Sequence, residues 1–491
     1  MTDHGPRGPG EGPSKDRFRY RRLAADLEQR IRRGDFRPGD RLPSIRRLHR
    51  ATGLSISTVC RAFAELEECG LVEAHPRSGH RVRPAAWPPP HPPIHRRSEP
   101  APQRIRLAPE LSSVIAATSD PDFVPLGNTG MDAGHVPAKA FARMVREINR
   151  FEWRSLLGYG PPEGSPELRR QIALRDVGLP GQFSAEEIVV TTGCTEAIAL
   201  ALQAVAQPGD TIAVESPTNF AVLQLLKERG MLAAEVVVDP REGVDLDDLA
   251  RCLARHPVRA CFLMPHFQNP TGALMPVEKK GRLLEILSRR GVPAVVDDIS
   301  APLHFTGRRP LPLSAWDREG LLIQCSSFSK TLAPGLRIGW VAARGERLER
   351  IRRLKAATSI CTSSLDQAIV ARFLASGAYD RHLLRLRVAF ERQLSQTADL
   401  VRRHFPEGTR FAPPQGGTLL WVELPRGIDG LELYRRARAR QIAIVPGAIC
   451  ANSPRFRNFV LISCAGAVDE RVAAAIALLG RIACALQDER P

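Results

Sequence analysis

The run Cys325-Ser326-Ser327-Phe328-Ser329-Lys330 places a lysine among small hydroxyls at the end of an apolar stretch, and Arg337 follows seven residues on. An amine on a rigid support can condense with a carbonyl, and a guanidinium matches the geometry of a phosphate. Other polar groups recur just after apolar runs of strand type: Gly193-Cys194-Thr195 after EIVVTT, Gln268-Asn269-Pro270-Thr271-Gly272 after CFLMPH, and Asp297-Asp298 after PAVV. A glycine-led helix start offers unpaired amides and the positive end of a dipole to an anion. Taken singly, each has a plain structural explanation as a cap, a turn or a chain reversal. Taken together they supply an amine for an aldehyde, an acid for a ring nitrogen, an amide for a ring hydroxyl and a cradle for a phosphate. That is the donor set pyridoxal phosphate requires.

These groups need a scaffold that brings strand ends together. From about residue 186 onward, strand-like runs (EIVVTT, TIAVESPT, AAEVVVD, RACFLMPH, PAVVDDIS, LLIQCSSFSK) alternate with helical segments near 194–207, 223, 246–255 and 278–290. Such alternation predicts a parallel sheet with helices on both faces, which binds ligands beyond the carboxyl ends of its strands. The fold class expected is therefore α/β for the body of the chain.

The first eighty residues read differently. About half of the formal net charge of +17 sits there, with sixteen Lys and Arg against eight Asp and Glu between residues 17 and 83. Leu23, Leu27 and Ile31 form one helical stripe, Ser44 can cap a short second helix, and SISTVCRAFAELEECG makes a third with Val59, Ala62, Phe63 and Leu66 inward. LVEAHPRSGHRVRP follows as strand, turn and strand, completing a winged helix-turn-helix over residues 14–83. On this reading Ser57, Thr58 and Arg61 face outward at the start of the third helix, positioned for a major groove, with Arg41, Arg46 and the wing from Arg77 to Arg81 near phosphates. The competing interpretation is a basic domain that merely solvates its charge or docks a protein.

Between the two lies PAAWPPPHPPIHRRSEPAP, in which proline fixes an extended backbone and removes donors, so residues 84–105 are expected to be a spacer. The body is then 106–491, with a large part over about 155–345 and a small part over about 346–491. The ten cysteines are scattered, with neither a disulfide framework nor a spacing that would seat a metal. With no apolar run long enough to span a bilayer and no cleavable signal, the expected location is cytoplasmic.

RPGDRLPSIRRLHRATGLSISTVCRAFAELEECGLVEAHPRSGHRV resembles the GntR-type winged-helix repressors, through its R-L-P-S-x-R turn, S-x-x-T-V-x-R-A helix and R-S-G wing. The resemblance implies DNA contacts by Arg41, Ser44, Arg46, Ser57, Thr58, Arg61, Arg77 and Gly79. GYGPPEGSPELRRQI, VTTGCTEAIALAL, ESPTNF, HFQNPTG, VVDDIS, SSFSKTLAPGLRIGW and PPQGGTLLWVELP are similar to segments of fold-type I aminotransferases. A GntR head, a linker and such a body together resemble the MocR subfamily of regulators. The resemblance implies a Schiff-base Lys330, Asp297 on the pyridine nitrogen and Asn269 on the ring hydroxyl. It places Gly193, Cys194, Thr195, Ser327 and Arg337 around the phosphate, with Tyr159 reaching in from a partner subunit of a homodimer.

The chain departs from that pattern in places. Asn219 stands where an aromatic normally stacks on the ring, with Phe220 beside it as a substitute. Ser300 stands where a tyrosine is usual, and Leu461-Ile462-Ser463-Cys464 replaces a segment that would carry a carboxylate-binding arginine; Arg455 and Arg457 lie too far upstream to be that arginine. The expected function is a DNA-binding transcriptional regulator that senses pyridoxal phosphate or an amine effector. The alternatives are an active aminotransferase with a DNA-binding head, which the missing arginine disfavours, and a cofactor-free dimerisation scaffold.

Overall fold

The computed structural model describes residues 14–33, 36, 40–68, 71–75, 79–82, 93, 101–148, 150–305 and 308–489. Two units are separated between Pro90 and His91.

In the N-terminal unit α1 (Ser14–Arg33), α2 (Ile45–Thr52) and α3 (Ile56–Glu68) precede a hairpin of β1 (Val72–His75) and β2 (Gly79–Val82). The apolar stripe of α1 closes on Leu48 of α2 and on Val59, Phe63 and Leu66 of α3, while Val72 and Val82 pair across the hairpin beneath them. α2 stops at Gly53, which takes the left-handed conformation a side chain disfavours (φ 68°) and returns its amide to His49. The periodicity did not reveal that residues 40–42 line the wing: Leu42 N donates to His80 O and Val82 N to Asp40 O, each at 2.9 Å.

The C-terminal unit is built on a mixed sheet. Its strands are β3 (Gln103–Arg104), β4 (Ile188–Thr192), β5 (Thr211–Ser216), β6 (Leu232–Asp239), β7 (Gly243–Val244), β8 (Val258–Leu263), β9 (Ala294–Asp297), β10 (Leu322–Ser327) and β11 (Ile338–Ala342). They lie in the order 3-6-5-8-9-10-11-4, with β7 on β6. Strands 6, 5, 8, 9 and 10 run parallel. Alternate side chains of β5 enter opposite cores, Ile212 and Val214 on one face and Ala213 on the other, as a sheet covered on both sides demands.

The sheet holds strands beyond those expected, β11 among them, and one expectation is corrected here. β11 is antiparallel to both β10 and β4, because only residues 328–337 connect it to β10, too few for the helical crossover a parallel neighbour needs. The proposed spacer ends too late: Gln103–Arg104 pair with β6 and Ile105 is buried in the sheet's core, so these residues belong to the body. Most of the remaining spacer, residues 84–92 and 94–100, lies outside the described residues.

A second sheet, of β12 (Arg410–Phe411), β13 (Leu419–Glu423), β14 (Val445–Pro446) and β15 (Phe459–Ser463), packs against the helices Ala378–His404 and Glu470–Asp488. Leu111, Val114, Val124 and Leu126 join this core from the start of the body, so the small part is completed by residues far upstream of 346. No helix among the described residues is long and apolar enough to cross a membrane.

Candidate functional site

β4, β8, β9 and β10 all end on one edge of the sheet, and the side chains that follow them converge on a single cavity of about 220 Å³. Cys194, Thr195, Asn269, Asp297, Ser300, Ser327, Lys330 and Arg337 line it. Lys330 sits in the turn after β10, and its part-buried Nζ donates to the carbonyl and, at 3.1 Å, to the hydroxyl of Thr129. Burial pushes this amine down to about 8, against the opposing pull of Asp297 and Cys194. Burial likewise pushes the Asp297 carboxyl up to about 6, with the Ile299 amide, a 3.2 Å donor to Oδ1, working against it. The amine is thus made available in its neutral form by desolvation rather than by a neighbouring cation.

The surroundings of Arg337 are equally defined. The helix Gly193–Val205 begins at Gly193 (φ 78°), where an added Cβ would fall 2.3 Å from Arg337 Nη2. Arg337 is itself in the left-handed region (φ 52°), and its guanidinium is held by Thr192 O, Pro334 O and Ser329 Oγ at 3.3–3.5 Å. A non-glycine residue in that conformation is strained, and such strain concentrates where a side chain must be aimed. Tyr159, by contrast, is 85% exposed and does not line its own chain's cavity.

In the head, Ser44 caps α2 by accepting from Arg47 N at 3.3 Å. Arg41, Arg46, Ser57 and Arg61 are exposed, and Arg41 Nε lies 3.5 Å from where a Cβ on Gly79 would stand, which ties it to the wing. Arg61 stacks over the Tyr20 ring at 4.8 Å. The outward placement expected for Thr58 is corrected: it is 6% exposed, and its hydroxyl is 2.7 Å from that of Ser55, which also caps α3 by accepting from Thr58 N. Thr58 therefore fixes the helix start. Arg77 lies outside the described residues.

Comparison with known proteins agrees with both halves. Residues 19–82 match the model for bacterial regulatory proteins of the gntR family, and residues 127–479 match that for aminotransferase class I and II. The HTH-type transcriptional regulator YjiR of Escherichia coli is 34% identical over 94% of this chain and 98% of its own. The rhizopine catabolism regulatory protein MocR of Rhizobium meliloti is 27% identical over 87% and 86%. The chain belongs to the MocR subfamily of GntR-type regulators. It is a DNA-binding transcriptional regulator whose body has the fold of the pyridoxal-phosphate-dependent aminotransferases. Among solved structures, the α-aminoadipate aminotransferase LysN of Thermus thermophilus superposes with a TM-score of 0.72 at 29% identity, covering 78% of this chain and 96% of that one.

In this MocR-type chain the departures from the aminotransferase pattern have structural explanations. Asn219 is a helix cap: its Oδ1 accepts from Ala221 N at 3.1 Å while the residue lines the cavity. Phe220 does not take over the stacking position, because it packs against the core of the small sheet. Leu461 is 1% exposed, opposite Trp421 in that core. Arg455 is engaged elsewhere, with Ser216 Oγ at 2.9 Å and Glu235 at 3.3 Å, and Arg457 faces Asp429 at 3.6 Å.

Several residues of the regulator have supporting roles that sequence reasoning did not assign. Gln268 fixes the loop carrying Asn269: its amide donates to Pro217 O at 2.7 Å and to Glu215 at 3.2 Å, and its oxygen accepts from Thr271 N and Oγ1. Behind Asp297, Asp298 accepts from His266 Nδ1 at 2.5 Å, and Lys280 Nζ donates to His266 Nε2 at 2.7 Å. This buried ammonium compensates a carboxylate whose charge otherwise acts on Asp297.

Two predictions arise from this geometry. Capture of pyridoxal phosphate, followed by stopped-flow absorbance, should accelerate with pH to about 8, the value of Lys330, and then level off. An amine near its ordinary value of 10.5 would keep accelerating well beyond. Asp297→Asn removes the charge that raises Lys330, so it should move the midpoint lower. Separately, Arg61→Ala should weaken operator binding about tenfold, a loss of roughly 1–2 kcal/mol, and flatten the dependence of log K on log salt by about one, measured by fluorescence anisotropy.

Proposed function

We propose that the body of this regulator holds pyridoxal phosphate through Lys330 and conveys the state of that site to the DNA-binding head. The observation that carries the reading is the convergence of Lys330, Asp297, Asn269, Ser327 and Arg337 on one cavity, with Gly193 leaving room for the guanidinium. These residues fit the cofactor group by group. Arg337 and the amides at the start of the helix Gly193–Val205 would hold the phosphate, with Cys194, Thr195 and Ser327 around it. Asp297 would keep the ring nitrogen protonated, and Asn269 would donate to the ring hydroxyl. When bound, the cofactor supplies an aldehyde carbon on which primary amines exchange, and a ring that absorbs visible light.

The assembly in this reading is a homodimer, with Tyr159 entering the second copy's cavity. Its 85% exposure next to Leu157, 76% exposed, supports that role. Sensing is favoured over turnover because Leu461, buried in the small-sheet core, offers an amino-acid carboxylate nothing. On the DNA side, Arg41, Ser44, Arg46, Ser57, Arg61 and Gly79 form the contact surface, with Thr58 acting through the helix start.

The test uses the full chain. Adding pyridoxal phosphate should produce a visible band, and borohydride should fix the cofactor on the peptide containing Lys330. A footprint on the DNA upstream of neighbouring genes should change when cofactor is present. A colourless protein with no fixed adduct would overturn the reading, and spectral cycling with amino acids would replace it by an active aminotransferase.

A further inference from the structure

The cavity also restricts what can bind beside the cofactor. Among the described residues its wall carries Lys330, Asp297, Arg337 and His266 as groups able to bear charge, besides the thiol of Cys194. Three of these are committed in the reading above, to the aldehyde, the ring nitrogen and the phosphate. His266 is 2% exposed and both ring nitrogens are engaged, Nδ1 donating to Asp298 at 2.5 Å and Nε2 accepting from Lys280 at 2.7 Å. It has no N–H left to offer a ligand. Burial pushes the Cys194 thiol well above its ordinary range, with Asp297 adding to the effect, so it stays neutral. The remaining wall sets the aliphatic side chains Ile198, Val222, Leu225, Leu303 and Leu419 beside groups that are polar but neutral, Thr129, Asn219, Ser300, Ser329 and Thr418.

We infer that the ligand taken by this cavity is a primary amine with an uncharged, mainly apolar tail and no carboxylate. The inference rests on the reading that Lys330 holds pyridoxal phosphate. Physically, a carboxylate drawn into this cavity would lose its water without gaining a guanidinium, and a desolvated unpaired charge is among the costliest groups to bury. An amine of the same shape without the carboxylate avoids that cost and keeps every aliphatic contact. LysN, whose fold this body shares, has been solved with phosphopyridoxyl-L-leucine, so leucine defines a matched comparison.

The cofactor-loaded full chain is titrated in parallel with L-leucine and with 3-methylbutan-1-amine, which is leucine without its carboxylate. The readouts are the visible spectrum and the affinity for operator DNA. The amine should act at a concentration lower by at least about tenfold, equivalent to roughly 1.4 kcal/mol. The pair L-phenylalanine and 2-phenylethylamine should show the same order. Equal potency, or a preference for the amino acids, overturns the inference and means that a cation from outside the described wall completes the site. A chain that holds the cofactor but responds to neither member of a pair overturns it as well. Failure of the prior reading is recognised separately: no visible band forms before any ligand is added.

Discussion

Lys330→Ala should leave a colourless protein that still binds operator DNA but no longer changes its affinity when cofactor and amine are supplied. The mutation removes the nucleophile and nothing in the head, which folds as a separate unit with its own core. Its structural cost is small, because the lost contacts are those to Thr129 and because an amine held near 8 is poorly solvated to begin with. A coupling of about 1–3 kcal/mol, typical of allosteric proteins, corresponds to roughly 5- to 150-fold in DNA affinity, and all of it should vanish. Lys330→Arg separates charge from chemistry: it keeps a cation but cannot condense, so it should behave as the alanine variant does. Absorbance, borohydride trapping and anisotropy on both variants check the result. A surviving visible band in either variant would place the attachment on another lysine.

The polar residues at strand ends were readable in advance because a sheet buried on both faces leaves only its edges for chemistry, so each apolar run points at the residue after it. Asp297, Ser327 and Lys330 were found in this way. Thr129 could not be: it lies in an irregular segment 201 positions from the lysine it binds, and neither its type nor its spacing marks it. Strand β11 was not read at all, since IGWVA follows the lysine turn with no helical segment before it, and alternation of strands with helices gives it no place. Thr58 was misplaced for a related reason. Helical periodicity assigns a face by angle, whereas in the first turn a hydroxyl bonded to Ser55 turns inward against it. Likewise, residues 111–126 give no hint that their partners lie around Trp421, since that pairing is set by chain topology rather than by local pattern.

Where sequence and geometry agree most closely is the approach of Arg337 to Gly193, and a double substitution tests whether that approach is the binding determinant. Gly193→Ala introduces a Cβ 2.3 Å from the guanidinium nitrogen and 2.8 Å from its central carbon, in a backbone conformation (φ 78°) that alanine already disfavours. The side chain must swing out of the cradle, which breaks its hydrogen bonds to Thr192 O and Pro334 O. Losing a bidentate charge-assisted contact to phosphate removes roughly 3 kcal/mol, so cofactor affinity should fall about 100-fold. Arg337→Ala should weaken it to a similar extent. If the glycine acts by making room for the arginine, the double variant will be little worse than either single one, since the second change removes an interaction already lost. Equilibrium titration of the four proteins by absorbance gives the coupling directly, with operator binding as the control for a folded head. Additive losses would mean that the helix start and the guanidinium bind the phosphate independently, and that the glycine serves backbone conformation alone.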